Sequence, residues 1–505
     1  MRGAERAAIV LAGVALFASL ASTVHPWFDG RADASLYIAT ARSLAAGEGY
    51  TYLGSPFTLR PPGLSLLLAP LVAWRGVDFY AQHLLISVVG ALGVVAFYFW
   101  LLPRVGWILA LASCLLLWVN PTYQGLCNNS MSDVPALALL FVCFLLDRRA
   151  IREPSWRREL LLGLFVGLSC YFRSTAVLLL PAIALARLLE RPVGGSWAWR
   201  APLARAAVSV GVGGAIALSW VGYSSLATPS GSVDQTRIHS YLTFVLHEDA
   251  GDPDSAPLSL TEIASLPGKR LPRVLHGMGR RLTARPVTLD TLPHVAARAV
   301  CAALLLGSLL VLLVRRRGTP EIFATLSLLL LLVFTVAPRL VLPSYVVALA
   351  AAVEVLRGGA TRALGQRRGP ALLAALLVVL AWHDRDQTVG LDALEAEHNR
   401  RVQYFAELGP GLPRDARIAT FKAFVYNVFL DQPSFSLHRA ISRHGVEAGL
   451  ERVVDDYAVD TVVLPADGGE RQDRLQQVIT RRAGSPQRVG AALVWRLPSA
   501  PQGPR

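Results

Sequence analysis

The sequence predicts an α-helical polytopic membrane protein with a small α/β domain after its last span. Three observations carry that prediction. First, 53% of the 505 residues are hydrophobic and only 17% charged, giving a positive mean hydropathy of +0.44. Second, stretches such as 7–22, 302–314 and 371–380 contain no charge at all, and about 20 mainly apolar residues suffice to cross a bilayer as a helix. Third, the arginines gather in short segments between apolar runs.

In chain order, the hydropathy pattern predicts eleven spans: 7–24, 80–102, 105–119, 134–147, 160–171, 174–189, 206–226, 296–314, 320–337, 340–356 and 369–383. The apolar run 64–74 is assigned by parity. If it lies on the outer surface, the loops 148–158, 187–205, 315–319 and 357–368 all become cytoplasmic, as arginine-rich loops should be. If it crosses, all four move outside. It is therefore predicted as a surface or re-entrant helix. Three segments then face outward: the loop 25–77, the loop 228–294 and the tail from 384 onward. The transmembrane domain is thus 1–383, and 384–505 forms an α/β domain. In it, 416–420, 461–464 and 492–496 read as strands and 471–481 as a helix.

The formal charge of +14 would point to nucleic acid in a soluble protein, but its placement between spans is a topological signal. No nucleic-acid partner is expected. The basic start and apolar core of residues 2–21 resemble a signal peptide, yet the spans that follow favour an uncleaved first helix. Cys114, Cys127, Cys143, Cys170 and Cys301 show no pairing or metal-ligand spacing and read as small apolar packers. Gly211, Gly213 and Gly214 stand in an apolar run with no preceding strand, so close helix packing explains them better than a dinucleotide site. No Walker motif, zinc cluster or nucleophile elbow occurs, which argues against ATP-driven transport and hydrolase chemistry.

The first outer loop carries the chemistry. It reads Asp33-Ala-Ser-Leu-Tyr37, then Gly47-Glu48-Gly49-Tyr50, then Arg60-Pro61-Pro62-Gly63; Ser132-Asp133-Val134-Pro135, Arg173, and Arg339 with Pro343 follow at later span ends. This series, from about 10 to 356, resembles the membrane glycosyltransferases of the GT-C fold, in the branch of protein O-mannosyltransferases and the lipid A aminoarabinose transferase. The resemblance implies an enzyme that moves a sugar from a polyprenyl-phosphate donor to a lipid, glycan or protein acceptor. It also implies that Asp33 is the catalytic carboxylate.

Each residue also has a plainer reading. Asp33 and Asp133 precede helices, and aspartate is a preferred N-cap. As a functional group, Asp33 would accept the proton of the attacking hydroxyl, with Asp29 as the alternative carboxylate. Asp133 would orient the acceptor, hold a divalent metal ion together with Asp33, or tune the first acid. No other cofactor is indicated. Arg60, Arg173 and Arg339 would be snorkelling side chains, except that arginine at the outer face runs against the positive-inside rule. Guanidinium forks binding the donor phosphate supply the reason. Tyr37 and Glu48 are secondary candidates; His25 and Tyr345 read as interfacial anchors. The sequon Asn128-Asn129-Ser130 lies too close to a span to be modified.

The expected reaction is a single displacement with inversion at the anomeric carbon. The alternative is a lipid-linked sugar transporter or flippase, which needs the arginines but no outer carboxylate. A sugar polymerase or ligase would differ only in its acceptor. Lysine occurs only at 269 and 422 while arginine is plentiful. That bias suggests a GC-rich bacterial genome and the cytoplasmic membrane, with the N-terminus cytoplasmic and the C-terminal domain periplasmic.

Overall fold

The computed structural model describes residues 3–189, 200–227, 256–283, 292–334, 338–385, 391–466 and 470–498. In chain order its helices are α1 (Gly3–Thr23), α2 (Ala32–Ala45), α3 (Gly63–Arg75), α4 (Phe79–Val105), α5 (Trp107–Trp118), α6 (Pro121–Cys127), α7 (Asp133–Arg152), α8 (Trp156–Phe172), α9 (Leu179–Leu189) and α10 (Arg200–Leu226). After 256 come α11 (Leu260–Thr283), α12 (Leu292–Arg316), α13 (Thr319–Val333), α14 (Leu342–Arg385) and α15 (Leu391–Leu408). The tail adds α16 (Ala423–Leu430), α17 (Leu437–His444), α18 (Val446–Tyr457) and α19 (Glu470–Ala483).

Among the described residues, four helices are long and apolar enough to cross a membrane: Phe79–Val105, Pro202–Leu226, Val295–Arg316 and Arg339–Trp382. Shorter apolar helices, including Val10–Thr23, Trp107–Trp118 and Thr319–Val333, pack beside them. One continuous apolar core joins α1 to α14. Local signals set the helix starts. Asn120 caps α6 ahead of Pro121, Asp78 caps α4 and Ser155 caps α8, each side chain accepting a backbone N–H.

The run predicted as a surface helix is α3, and its Gly63, Leu64, Ser65, Leu68 and Val72 are buried. Gly63 is required there: a Cβ would fall 2.6 Å from the Tyr171 carbonyl oxygen at the end of α8. The stretch 357–368, predicted as a loop between two spans, is helical instead. α14 runs through it and breaks only at Gly365, whose φ of 85° is open to glycine. The chain doubles back there, so that a Cβ on Gly369 would lie 2.4 Å from the Ala360 oxygen. Arginine has a high helix propensity, so a basic segment need not be a loop. Of the three glycines read as packers, Gly213 lies against Gly163 and Val166 of α8, whereas nothing lies within 4 Å of a Cβ on Gly211. The outer loop predicted at 228–294 lies partly outside the described residues, and its described part is largely α11.

Two buried ion clusters sit at the arginine-rich helix ends. Arg104 of α4 binds Glu321 and, at 3.0 Å, Glu354; Arg316 also binds Glu354. Arg187 of α9 binds Asp147 at 2.7 Å and lies 3.8 Å from Glu159.

In the tail, β3 (Ile418–Thr420), β4 (Ser434–Ser436), β5 (Thr461–Pro465), β6 (Gln487–Val489) and β7 (Ala492–Arg496) form one sheet of order β4-β3-β5-β7-β6. The first three strands are parallel and the last three antiparallel. One face packs Leu437, Ile441, Leu450, Leu475 and Ile479 from α17–α19. The other packs Phe405, Leu408 and Tyr426 from α15 and α16. The remaining two strands, β1 (Thr51–Tyr52) and β2 (Ser55–Pro56), form a hairpin in the first loop.

Candidate active site

The site forms where α2, the Arg60 loop and the starts of α7 and α14 meet, at the opposite helix ends from the two ion clusters. Hydrogen bonds hold α2 in place. Thr40 meets Ser65 of α3 at 2.7 Å, and Tyr37 meets Ser132, ahead of α7, at 3.0 Å. Tyr50 donates to the Arg60 carbonyl at 2.9 Å. On its far side α2 is clamped by the tail: Arg42 donates to the carbonyls of Asn427 and Val428 and pairs with Asp431.

Neither carboxylate caps its helix. The N-cap of α2 is Arg31 and that of α7 is Ser132, and neither accepts a side-chain cap bond. Asp33 is instead gripped by two guanidiniums, Arg60 at 3.2 Å and Arg339 more closely. Asp133 is paired with Arg173 at 2.6 Å. Arg339 enters from the short helical turn Pro338–Val341, and Arg173 stands in extended backbone just after α8. Asp133, Arg173 and Arg339 line one small cavity of about 20 Å³, with Thr175 and Phe323. Two buried atoms there lack a partner among the described residues, Arg339 Nε and Asp133 Oδ2.

The electrostatics follow from this pairing. Burial by itself would raise the Asp33 carboxyl, but the charges of Arg60 and Arg339 outweigh it and hold the group below its ordinary 3.8. Asp33 is therefore a firmly ionised, two-handed ion pair with 18% of its side chain exposed. A divalent ion does not fit these residues. Both carboxylates face guanidiniums, and no cluster of three or more metal-ligating His, Cys, Asp or Glu side chains occurs among the described residues.

The structure brings Asp33, Arg60 and Arg339 together, and Asp133, Arg173 and Arg339 around the cavity. The secondary candidates make other contacts. Asp29 pairs with Arg31 at 2.5 Å; Glu48 is exposed in its turn, accepting from Ser43 at 3.2 Å. Tyr37 is buried against Ser132. His25 and Tyr345 are not interfacial anchors, since both are buried, Tyr345 fully. Asn128, Asn129 and Ser130 are buried too, which closes the sequon to modification. The sequence reading missed Met131, whose sulfur lies 3.8 Å from Arg339, and Tyr223, which donates to the Tyr50 carbonyl at 3.2 Å. Neither position carries a local signal.

Comparisons with known proteins bear on the fold and the class. Residues 59–220, which include Arg60, Asp133 and Arg173, match the family model described as dolichyl-phosphate-mannose-protein mannosyltransferase. No curated protein sequence matches the chain. Among solved structures, ArnT from Cupriavidus metallidurans bound to undecaprenyl phosphate superposes with a TM-score of 0.61 at 13% identity, covering 98% of this chain and 99% of that one. The oligosaccharyltransferase AglB from Archaeoglobus fulgidus, in complex with an inhibitory peptide and a dolichol-phosphate, gives 0.57 at 13% identity over 92% and 70%. The fold is the GT-C fold. Family model and fold together define the class: a polytopic membrane glycosyltransferase.

Proposed function

We propose that the protein transfers a sugar from a polyprenyl-phosphate donor to an acceptor hydroxyl, with inversion, using Asp33 as catalytic base. The observation that carries this reading is the shared guanidinium: Arg339 binds Asp33 and also lines the cavity of Asp133 and Arg173. A phosphate placed there would meet Arg339 Nε, which has no partner among the described residues, and Arg173. Planar guanidinium forks suit phosphate oxygens.

The cavity holds about one water at its present 20 Å³. The donor phosphate must therefore enter by drawing Arg339 away from Asp33. Losing the Arg339 charge removes one of the two influences that oppose burial, and the Asp33 carboxyl rises. Donor binding thereby switches the base on. The acceptor hydroxyl then gives its proton to Asp33 as its oxygen attacks the anomeric carbon. The bond from that carbon to the phosphate oxygen breaks with its electron pair on the phosphate. Arg60, Arg173 and Arg339 stabilise the charge that develops there. Asp133, held by Arg173, positions that arginine.

In this reading the site faces the outer side of the cytoplasmic membrane, with the 384–505 domain beside it and the arginine-rich ends inside. The test is a panel of radiolabelled polyprenyl-phosphate sugars offered to the full chain in nanodiscs with a crude membrane acceptor fraction. Label passing from lipid to acceptor supports the transferase. In sealed proteoliposomes of the same chain, label that crosses the bilayer still attached to its lipid, with none transferred, overturns it in favour of a flippase.

A further inference from the structure

The loop 24–31 between α1 and α2 has no regular secondary structure, so side chains must satisfy its buried backbone groups. Histidines supply several of those bonds. The Trp27 N–H donates to His25 Nδ1 at 3.3 Å, and the Phe28 N–H donates to Nδ1 of His398, on α15, at 3.2 Å. The His25 carbonyl accepts from Nδ1 of His83, on α4, at 2.7 Å, and the Phe28 carbonyl accepts from Arg401 at 3.0 Å. Aromatic packing joins the same elements. Phe28 is fully buried and stacks on Phe79 of α4 at 4.9 Å, and the Phe79 ring meets His398 edge-on at 5.8 Å. Through His398 and Arg401 the tail domain thereby grips the segment that leads into α2 and Asp33.

Two of these bonds require one protonation state. A ring nitrogen that accepts an N–H must keep its lone pair, so His25 and His398 are neutral, with the ring proton on Nε2. An imidazolium carries N–H on both nitrogens. Protonating either ring sets two N–H groups against each other and leaves a backbone donor unmatched. Around the two rings stand Asp29, paired with Arg31 at 2.5 Å, His83 of α4, and Glu397 and Arg401 of α15, themselves paired at 2.9 Å; α16 presents Phe429 to His398. Burial holds His25 below its ordinary 6.5 against the pull of Asp29, and burial together with the Arg401 charge does the same for His398. His398 is half-buried, so protons reach it.

We infer that His25 and His398 are positioning residues that hold the loop, and with it the start of α2, only while both are neutral. The grip is complete above about pH 6.5 and is lost as pH falls through the two lowered values. The helix that carries Asp33 then loses its fixed approach, and transfer slows in acid. That consequence rests on the transferase reading, but the grip itself is measured without substrate, so the two can fail separately.

The test is hydrogen exchange on the full chain in nanodiscs at about pH 7.5 and about pH 5, corrected for the intrinsic pH dependence of exchange. Peptides covering 24–31 and the first turn of α2 should exchange roughly tenfold faster in acid, while the tail strands Thr461–Pro465 and Ala492–Arg496 keep their protection. The double variant His25→Asn, His398→Asn offers amide oxygens as acceptors and does not titrate, so the acid effect should vanish. His398→Leu removes an acceptor outright, and its loop should exchange fast at both pH values. Wild-type exchange that is the same at both would overturn the proposal, as would a loop still fully protected in His398→Leu. So would an acid effect that persists in the double variant, which would assign it to another group, or equal loss of protection in the tail strands, which would mean unfolding of the domain.

Discussion

Asp33→Asn separates donor binding from turnover. The substitution keeps the shape of the side chain and removes the charge gripped by Arg60 and Arg339. Those three side chains are 18%, 21% and 27% exposed, so the pairing lies between a buried network, where breaking one partner costs ~3–5 kcal/mol, and a surface pair worth ~0–1. A value of about 2 kcal/mol follows. In the wild type an incoming phosphate must give back that energy to detach the arginines from Asp33. In the variant they are already released, so polyprenyl phosphate should bind roughly thirtyfold more tightly, each ~1.4 kcal/mol being one decade. Turnover should fall by ~10²- to 10⁴-fold, the usual contribution of a positioned base. Equilibrium binding of a fluorescent polyprenyl phosphate and single-turnover transfer, measured on the same nanodisc preparation, read the two effects. Turnover within tenfold of wild type would refute Asp33 as the base. Weaker donor binding in the variant would refute the idea that phosphate and carboxylate compete for the arginines.

Other consequences follow from named contacts. Arg173→Ala strands Asp133, whose side chain is 4% exposed, and should cost ~3–5 kcal/mol of stability. Adding Asp133→Asn should recover most of that in thermal unfolding, while donor affinity stays ten- to a hundredfold down for want of a charged hydrogen bond of ~1.5–3 kcal/mol. Because the folded-state Asp33 carboxyl lies below its ordinary 3.8, its stabilisation is complete above about pH 4 and lost as pH falls through the lowered value. The gap in melting temperature between wild type and Asp33→Asn should therefore close in acid; a constant gap would contradict the ion-pair account. Arg42→Ala removes the clamp between α2 and the carbonyl end of α16. Hydrogen exchange should rise across Ala423–Leu430 and α2 together, with Arg42→Lys restoring part of the protection.

Much of this architecture is legible in the sequence, for physical reasons that particular segments make plain. Long, mainly apolar runs such as Phe79–Val105 announce themselves because a bilayer demands length and composition at once. The tail strands at Thr461–Pro465 and Ala492–Arg496 are short β-rich runs between helix-forming segments, and they too are visible. Their partner β4 is not, because Ser434–Ser436 is three residues long and exists only by pairing with β3. The helical path through 357–368 was hidden because arginines are equally at home in a cytoplasmic loop and on a helix. At the site, residue types and order pointed to Asp33, Arg60, Asp133, Arg173 and Arg339. What no pattern in one chain encodes is that Arg339, 306 positions from Asp33, reaches both that carboxylate and the cavity of Asp133.

The most direct test is a structure of the wild-type chain bound to a polyprenyl-phosphate sugar. The account predicts the phosphate within hydrogen-bonding distance of Arg339 and Arg173, the Asp33–Arg339 pair opened, and the anomeric carbon facing the Asp33 carboxylate. A phosphate bound elsewhere, with Asp33 still clasped between Arg60 and Arg339, would contradict it.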